Sequence, residues 1–332
     1  MTTFYLDGQA FDSAEDESVL ETLIRSGSSI NYSCKKGACK TCLVQHVSGE
    51  LSAGSQRGLT ARLKANHYLS ACQCQPVEGL KLKTVFEQDL FVSAQLLERV
   101  FLTESVLKVQ IKSSENLHCY AGQYINLRRF DGLTRSYAVA KVLDGNVIEL
   151  HISRKYNGQF SGWLFSTASI GEHLLIQGPL GQCIYKEAYQ QDKLILIGHG
   201  AGIGAVIGIV EQALAMSHQA EIYLYHGART VAELYLHKKC LSLMLAHKNV
   251  HYRACITATS QADLIDKRCL QIQPFELAAK EHPINRHNRV FLCGEAEAVV
   301  KAQQQAFLDG FEYAKIHVLP FEYKDLRSVK RG

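Results

Sequence analysis

The sequence predicts a multidomain chain: a small α+β unit, then an antiparallel β-barrel, then an α/β unit on a parallel sheet. Three stretches of different texture along its 332 residues carry that expectation. Up to residue 84, short strand-like and helix-like runs surround a cysteine-bearing loop. Across 91–186, β-rich runs follow one another with turn residues evenly between them, as in an antiparallel barrel. Across 187–332, apolar strands alternate with helices, which implies parallel strands joined by crossovers.

Length and composition fit this plan. A chain of this size holds two or three domains with ample cores. A hydrophobic content of 47% with 20% charged residues is ordinary for a globular protein. The net charge of +4 is too small and too scattered to argue for nucleic acid or an anionic membrane as partner. The apolar run Phe4-Tyr5-Leu6 is short and ends at Asp7, unlike a signal peptide. The uncharged stretch 194–210 is glycine-rich and stops at Glu211, so a strand, a turn and a helix are expected there instead of a membrane span. Of the eleven cysteines, Cys74, Cys119, Cys183, Cys240, Cys255, Cys269 and Cys293 show no pairing pattern. That dispersal suits a reducing cytoplasm and argues against a disulfide scaffold. There is no internal repeat.

In the first unit, residues 3–6 and 9–11 read as strands around Asp7-Gly8, a hairpin turn signal. Ser18-Val19-Leu20-Glu21 has the capping-box pattern and opens a helix to about residue 25, with Val19, Leu20, Leu23 and Ile24 on one face. Gly27 ends it. Residues 43–47 read as a strand, 59–63 as a short helix and 77–85 as a closing strand.

The cysteine loop lies between that helix and the strand at 43. Cys34, Cys39 and Cys42 stand in a C-x4-C-x2-C spacing, with Cys72 further on. This is the spacing of cysteines that hold a plant-type [2Fe-2S] cluster. Three sulfurs must converge on a small cluster, so the backbone has to turn, which Gly37 permits while Ala38 and Thr41 stay small. A zinc knuckle is the alternative, though such sites prefer paired C-x2–4-C units. Cys74 competes with Cys72 as the fourth ligand.

In the barrel, strands are expected at 92–100, 106–111, 123–128, 136–142, 147–152 and 173–176. Gly122-Gln123-Tyr124 opens one strand, and Arg135-Ser136-Tyr137-Ala138 lies on the next. Arg135 offers a planar fork suited to two phosphate oxygens. Gly158-Gln159-Phe160-Ser161 begins a helix with Trp163 and Leu164, so its N–H groups and the Ser161 hydroxyl suit a phosphate. Gly178-Pro179-Leu180-Gly181 closes the barrel.

In the α/β unit, strands are expected at 194–197, 221–225, 251–257, 289–292 and 315–319, with helices to about 216, over 231–246 and over 295–308. The turn Gly198-His199-Gly200-Ala201-Gly202-Ile203-Gly204 follows the first strand. Glycine-rich strand–helix turns serve many folds, but a dinucleotide is expected at the carboxyl ends of such strands. Gly227-Ala228-Arg229 follows the second strand and Cys293-Gly294 a later one.

The order of these motifs resembles the reductase components of bacterial ring-hydroxylating and monooxygenase systems. In those, a ferredoxin–NADP reductase-like module follows an N-terminal plant-type ferredoxin of the β-grasp fold, and the resemblance covers essentially the whole chain. It favours Cys72, since Leu69-x-x-Cys-Gln-x-x-Pro76 is similar to the family's fourth-ligand segment. It implies that Arg135 pairs with the flavin pyrophosphate, that Ser136 and Tyr137 belong to the same flavin motif with Tyr137 on the isoalloxazine, and that Ala138 stands where a flavin-facing hydroxyl is usual. It puts His151 and Ser153 along the other side of the flavin, and Gly158 and Ser161 at its phosphates. Gly198, Gly200, Gly202, Arg229, Cys293 and Gly294 fall at the nicotinamide nucleotide, and Phe321 near the flavin. Ala201 replaces a usual threonine, and Glu295 and Glu297 add carboxylates.

The function implied is electron transfer from NADH or NADPH, with NADH favoured, through FAD and the [2Fe-2S] cluster to an electron-acceptor protein. FAD is favoured over FMN because the ferredoxin is N-terminal. The acceptor is an oxygenase component or, alternatively, a dehydratase of deoxysugar biosynthesis. A non-enzymatic flavin and iron–sulfur relay or sensor is a third reading, motivated by Ala138, Ala201 and Glu295. No side chain is needed as a catalytic acid or base, because the cofactors carry the chemistry. Lys35, Lys36 and Lys40 in the cluster loop suggest an acidic docking face on the acceptor. Residues 322–332 read as a solvated tail.

Overall fold

The computed structural model describes residues 2–30, 32, 35, 37, 40, 42–257, 269–282 and 288–321. The tail at 322–332, Cys34, Lys36 and Cys39 lie outside the described residues. The chain divides into two compact units, one of residues 1–91 and another spanning Val92–Arg327. Among the described residues, no helix is long and apolar enough to cross a membrane.

The first unit is a mixed five-stranded sheet carrying one main helix. Strands β1 (Thr2–Leu6) and β2 (Gln9–Ser13) form a hairpin whose turn residues Asp7 and Gly8 both have left-handed φ values, 51° and 84°. Helix α1 (Val19–Arg25) opens on a complete capping box: the Ser18 hydroxyl accepts from the Glu21 N–H, and the Glu21 carboxylate accepts from the Ser18 N–H. Next come β3 (Leu43–Ser48), a short α2 (Ala61–Ala65), β4 (Tyr68–Ser70) and β5 (Lys81–Thr84). The sheet order is β2-β1-β5-β3-β4, with β1 and β5 parallel. Phe4, Val19, Leu20, Leu23, Leu69 and Leu80 make its core. Two expectations need correction. The closing strand spans only Lys81–Thr84, because Gly79 turns the chain just before it with φ 74°. The short helix begins two residues later than expected.

The second unit starts with a closed six-stranded barrel. Its strands are β6 (Val92–Phe101), β7 (Val106–Ser113), β8 (Tyr124–Arg128), β9 (Thr134–Leu143), β10 (Val147–Ser153) and β11 (His173–Leu180), ordered β10-β7-β6-β11-β8-β9. Alternate residues of these strands point inward: Val92, Ala94 and Leu96 on β6 alternate with exposed neighbours. Helix α3 (Gln159–Ser166) packs Phe160, Leu164 and Phe165 into the same core.

A six-stranded parallel sheet follows. It contains β12 (Lys193–His199), β13 (Ile222–Ala228), β14 (Val250–Ile256), β15 (Cys269–Gln271), β16 (Asn288–Glu295) and β17 (Ile316–Phe321), in the order β15-β14-β13-β12-β16-β17. Its helices are α4 (Gly202–Ala215), α5 (His237–Ala246), α6 (Pro274–Glu281) and α7 (Ala296–Leu308). Helix α4 is buried between this sheet and the barrel. Gly208 makes that possible, since a Cβ there would stand 1.9 Å from the Ala140 carbonyl oxygen on β9. The sequence reading of one helix over 231–246 is corrected. A single 3-10 turn at Val231–Glu233 precedes α5, and Leu234 is buried between them. Strands β4 and β15 and helix α6 were not anticipated.

Candidate functional site

In the cluster loop, Cys42 and Cys72 are described, while Cys34 and Cys39 lie outside the described residues. The strand ladder brings the two cysteines together: the Ala71 N–H donates to the Cys42 carbonyl at 2.9 Å, and β3 pairs with β4 from Leu43 opposite Ser70. The half-buried Cys72 sulfur accepts from the Gly37 N–H at 3.2 Å, so it faces the loop. Cys74 has turned away. It is fully buried in the core, bonded to the Ser52 hydroxyl at 3.6 Å and to the Gln75 carbonyl, and burial pushes its thiol pKa up. Its partners Ser52 and Gln75 lie away from the loop, whereas Cys72 accepts from Gly37 within it. Lys40 corrects the picture of three surface lysines. It is buried, and its ammonium donates to the Gly37 carbonyl. Lys35 is exposed, with its ammonium 5.2 Å from the Tyr32 ring centroid.

On the barrel, the Arg135 Nη1 donates to the Thr134 carbonyl at 2.8 Å. The Ser136 hydroxyl donates to Asn126 at 2.7 Å, and the Asn126 amide donates to Gln177 at 2.7 Å, which ties β9 across β8 to β11. The Tyr137 ring lies 5.4 Å from the Phe160 ring, and desolvation raises its phenol pKa while Arg135 opposes the shift. Gly158 is the N-cap of α3, and no side-chain hydrogen bond caps the helix start. The Ser161 hydroxyl accepts from the Lys155 N–H at 3.2 Å, which folds the preceding loop over that helix start. Ser153 ends β10 opposite Val106. His151 has protein partners on both ring nitrogens: Nδ1 is 3.0 Å from the Tyr235 hydroxyl and Nε2 is 3.3 Å from Glu149. The His151 ring and Gln110 hold the Glu149 carboxyl below its usual range against burial.

At the sheet, the glycine turn is wedged between two strand ends. Gly200 (φ 56°) donates its N–H to the Gly227 carbonyl at 3.0 Å, beside β13. On the other side, a Cβ on Gly202 would stand 2.4 Å from the Cys293 carbonyl oxygen of β16, so only glycine fits. Gly198 ends against Ile203 of α4, and Gly294 follows Cys293 with its backbone against His199. No side chain caps the start of α4. Arg229 leaves β13 and pairs with Glu233, Nη2 to Oε1 at 2.7 Å. Burial lowers the His199 pKa, opposed by the carboxylates of Glu295 and Glu233.

Residues from three separate motifs share one apolar cluster. Cys293 is part of one apolar cluster, and Ala138 from the barrel and Phe321 from the last strand pack against it. The Cys183 sulfur is 3.8 Å from that of Cys293, and this contact together with burial pushes the Cys183 pKa well above the ordinary cysteine value. Sequence reading missed Glu233, Tyr235 and His199. The first two lie where an unbroken helix was expected.

The resident groups can be tested against this geometry. A sulfur drawn toward the loop at Cys72 fits a cluster, and the start of α3 at Gly158, which no side-chain hydrogen bond caps, fits a phosphate. At Gly200 (φ 56°) nothing stands within 4 Å of where a Cβ would be, so the turn is open there and fits a nucleotide backbone lying close over it.

Comparison with known proteins gives the same order of parts. Residues 4–77 match a 2Fe-2S iron–sulfur cluster binding domain, residues 93–185 an oxidoreductase FAD-binding domain and residues 196–305 an oxidoreductase NAD-binding domain. The reductase subunit of an aromatic O-demethylase from Amycolatopsis sp. is 32% identical over 243 residues, 69% of this chain and 72% of that protein. The ferredoxin–NAD(P)(+) reductase component of a naphthalene 1,2-dioxygenase system from Pseudomonas putida is 25% identical over 86% of this chain and 87% of its own. A CDP-6-deoxy-L-threo-D-glycero-4-hexulose-3-dehydrase reductase from Yersinia pestis is 26% identical over 74% of this chain and 76% of its own. Among solved structures, an Amycolatopsis cytochrome P450 reductase superposes with a TM-score of 0.65 at 26% identity, covering 97% of this chain and 99% of that one.

Proposed function

Because the chain belongs to the family of ferredoxin reductase-type, NAD(P)H-dependent reductase components of multicomponent systems, we propose that it supplies electrons to an oxygenase component. It is an oxidoreductase with [2Fe-2S], FAD and NAD-binding domains. When bound, the cofactors split the hydride of a nicotinamide into single electrons for delivery to the acceptor. The protein's own part is to bind, orient and exclude water. The functional divisions proposed are 1–84, 91–186 and 187–332, which enclose the three matched domains.

The observation that carries the reading is the meeting of Ala138 and Phe321 on the cluster that contains Cys293. It supports a flavin motif and a nicotinamide motif sharing one apolar surface, as hydride transfer between two bound cofactors requires. We assign Arg135 and the start of α3, with Gly158 and Ser161, to the flavin pyrophosphate. Tyr137 takes one face of the flavin ring, with Ser136 fixing its strand. Phe321 lies near the ring, and Ala138 leaves its position without a hydroxyl. His151 and Ser153 border the site from β10, and the bonds of His151 to Tyr235 and Glu149 make it a brace between barrel and sheet. Gly198, Gly200, Gly202, Arg229, Cys293 and Gly294 are assigned to the nicotinamide nucleotide. Cys34, Cys39, Cys42 and Cys72 are assigned to the cluster, with Cys74 set aside because it is packed in the core.

NADH is the proposed donor, and the cytoplasm the proposed compartment; among the described residues no cysteine is in a disulfide, which suits reducing conditions. The acceptor's docking face is proposed to be acidic and to meet Lys35. An oxygenase acceptor is favoured by the O-demethylase and dioxygenase relatives. A sugar-dehydratase acceptor is the second reading, carried by the Yersinia relative.

Anaerobic mixing with NADH tests the reading. Bleaching of the flavin band followed by bleaching of the cluster band is expected. If neither NADH nor NADPH bleaches the flavin, the function is wrong. Turnover with purified oxygenase and dehydratase components then separates the two acceptors.

A further inference from the structure

Resting on the reductase reading above, we infer that Glu233 sets the choice of donor: by occupying the guanidinium of Arg229 it admits NADH and turns away the 2′-phosphate of NADPH. Arg229 follows β13, whose end is tied to the glycine turn by the Gly200 N–H bond to the Gly227 carbonyl at 3.0 Å. A dinucleotide crossing the carboxyl ends of these strands lays its adenosine ribose over the strand next to the glycine turn, which here is β13. An arginine at that place is the group expected to hold a 2′-phosphate, because its fork matches two phosphate oxygens.

In this chain the fork is already engaged. Glu233 Oε1 accepts from Arg229 Nη2 at 2.7 Å and from Nε at 3.1 Å, while Oε2 accepts from the Arg229 backbone N–H at 3.1 Å. One carboxylate thus holds both the side chain and the backbone of the arginine. The 3-10 turn at Val231–Glu233 brings Glu233 back to that position; the continuous helix expected from the sequence would start differently. The pair has no net charge. Glu295 ends β16 at the same crevice, and both it and Glu233 act on His199, whose burial disfavours its charged form. Among the described residues, Arg229 here faces the carboxylates of Glu233 and Glu295, so a phosphate dianion would have to displace Glu233 from the guanidinium. A ribose 2′-hydroxyl, in contrast, is a donor that a carboxylate oxygen can accept.

The test uses the full holoprotein, with kcat and KM measured for NADH and NADPH and ferricyanide as acceptor. The wild type is expected to favour NADH by kcat/KM. Glu233→Gln removes the charge and frees the arginine. The NADH-to-NADPH preference is expected to fall by about tenfold or more, the order of one charge-assisted contact at 1.4 kcal/mol per tenfold, chiefly through a lower KM for NADPH. Adding Arg229→Ala to Glu233→Gln is expected to abolish that gain. Flavin and cluster absorbance report that each variant is folded and loaded. A preference that stays within about twofold of wild type in loaded Glu233→Gln overturns the inference. So does a wild type that uses NADPH as well as NADH, and in that case the reductase reading stands. Failure of both donors to reduce the flavin overturns both.

Discussion

Gly208 of α4 lies directly on the backbone of Ala140 of β9, so close that a Cβ would stand 1.9 Å from the Ala140 oxygen and 2.6 Å from the Ala121 side chain. Neither obstacle is the far end of a flexible side chain, so the helix itself must move to admit a methyl group. Gly208→Ala is therefore expected to destabilise the second unit by about 1–3 kcal/mol, despite alanine's better helix propensity. Thermal unfolding followed by circular dichroism checks this, and a melting temperature equal to or above wild type would show that the barrel and helix are not in such close contact.

The different environments of Cys72 and Cys74 make a second prediction. Cys72→Ser removes a sulfur that faces the loop and accepts from Gly37, so the visible absorbance of the cluster is expected to be lost or severely weakened. Cys74→Ser replaces a core thiol and is expected to keep the cluster while costing about 1–3 kcal/mol for a more polar buried group. Iron content and visible circular dichroism of the two variants distinguish them. The reverse pattern would transfer the fourth ligand to Cys74.

His226 sets an acid limit on stability. Burial lowers its pKa from 6.5 to about 3, with further lowering from His237 and His199. The folded state keeps it neutral, while the unfolded chain takes up a proton once the pH drops below 6.5. Its contribution is thus fully present above pH 6.5 and is lost as pH falls, at up to about 1.4 kcal/mol per pH unit until about pH 3. Urea unfolding of the wild type from pH 7 to 4.5 is expected to show this decline, and His226→Gln a shallower one. Parallel slopes would assign the acid lability to other groups.

Lys35 carries the docking prediction. It is exposed beside Tyr32, whereas Lys40 is buried on the Gly37 carbonyl and takes no part. Lys35→Glu is expected to slow reduction of the cognate acceptor by about 3–10-fold at low salt, with the gap narrowing as salt rises. Reduction of ferricyanide serves as the control. Equal acceptor rates for wild type and variant across the salt series would remove Lys35 from the interface.

Much of this architecture was legible because local signals agreed with the fold. The Ser18 and Glu21 capping box, the Asp7-Gly8 turn and the glycine turn after β12 each demand a particular backbone, and each is formed. What stayed hidden depended on contacts distant in sequence. The run from Val231 has ordinary helical spacing, but Leu234 is drawn into the core and the Tyr235 hydroxyl reaches His151 and the Ala201 carbonyl, so the helix starts only at His237. Lys40 looked like a solvated charge, since nothing in its neighbours announces that a carbonyl three residues earlier will take its ammonium. Helix α6 did carry a signal, a proline at its start and Glu276 in its first turn, but at eight residues its period is too short to stand out. The three-residue β15 forms because β14 offers an edge to pair with.

Trp163 is the only tryptophan of the chain. It sits on α3 with the Phe160 ring 5.5 Å away and the Arg129 guanidinium 5.0 Å from its own ring, and Phe160 in turn touches Tyr137. The protein therefore carries one tryptophan fluorophore, and it stands one aromatic ring removed from the residue assigned to the flavin. Its emission should report resonance energy transfer to an isoalloxazine held against Tyr137. The same emission is a local reading of the barrel, so loss of the flavin can be followed optically and apart from events in the N-terminal unit.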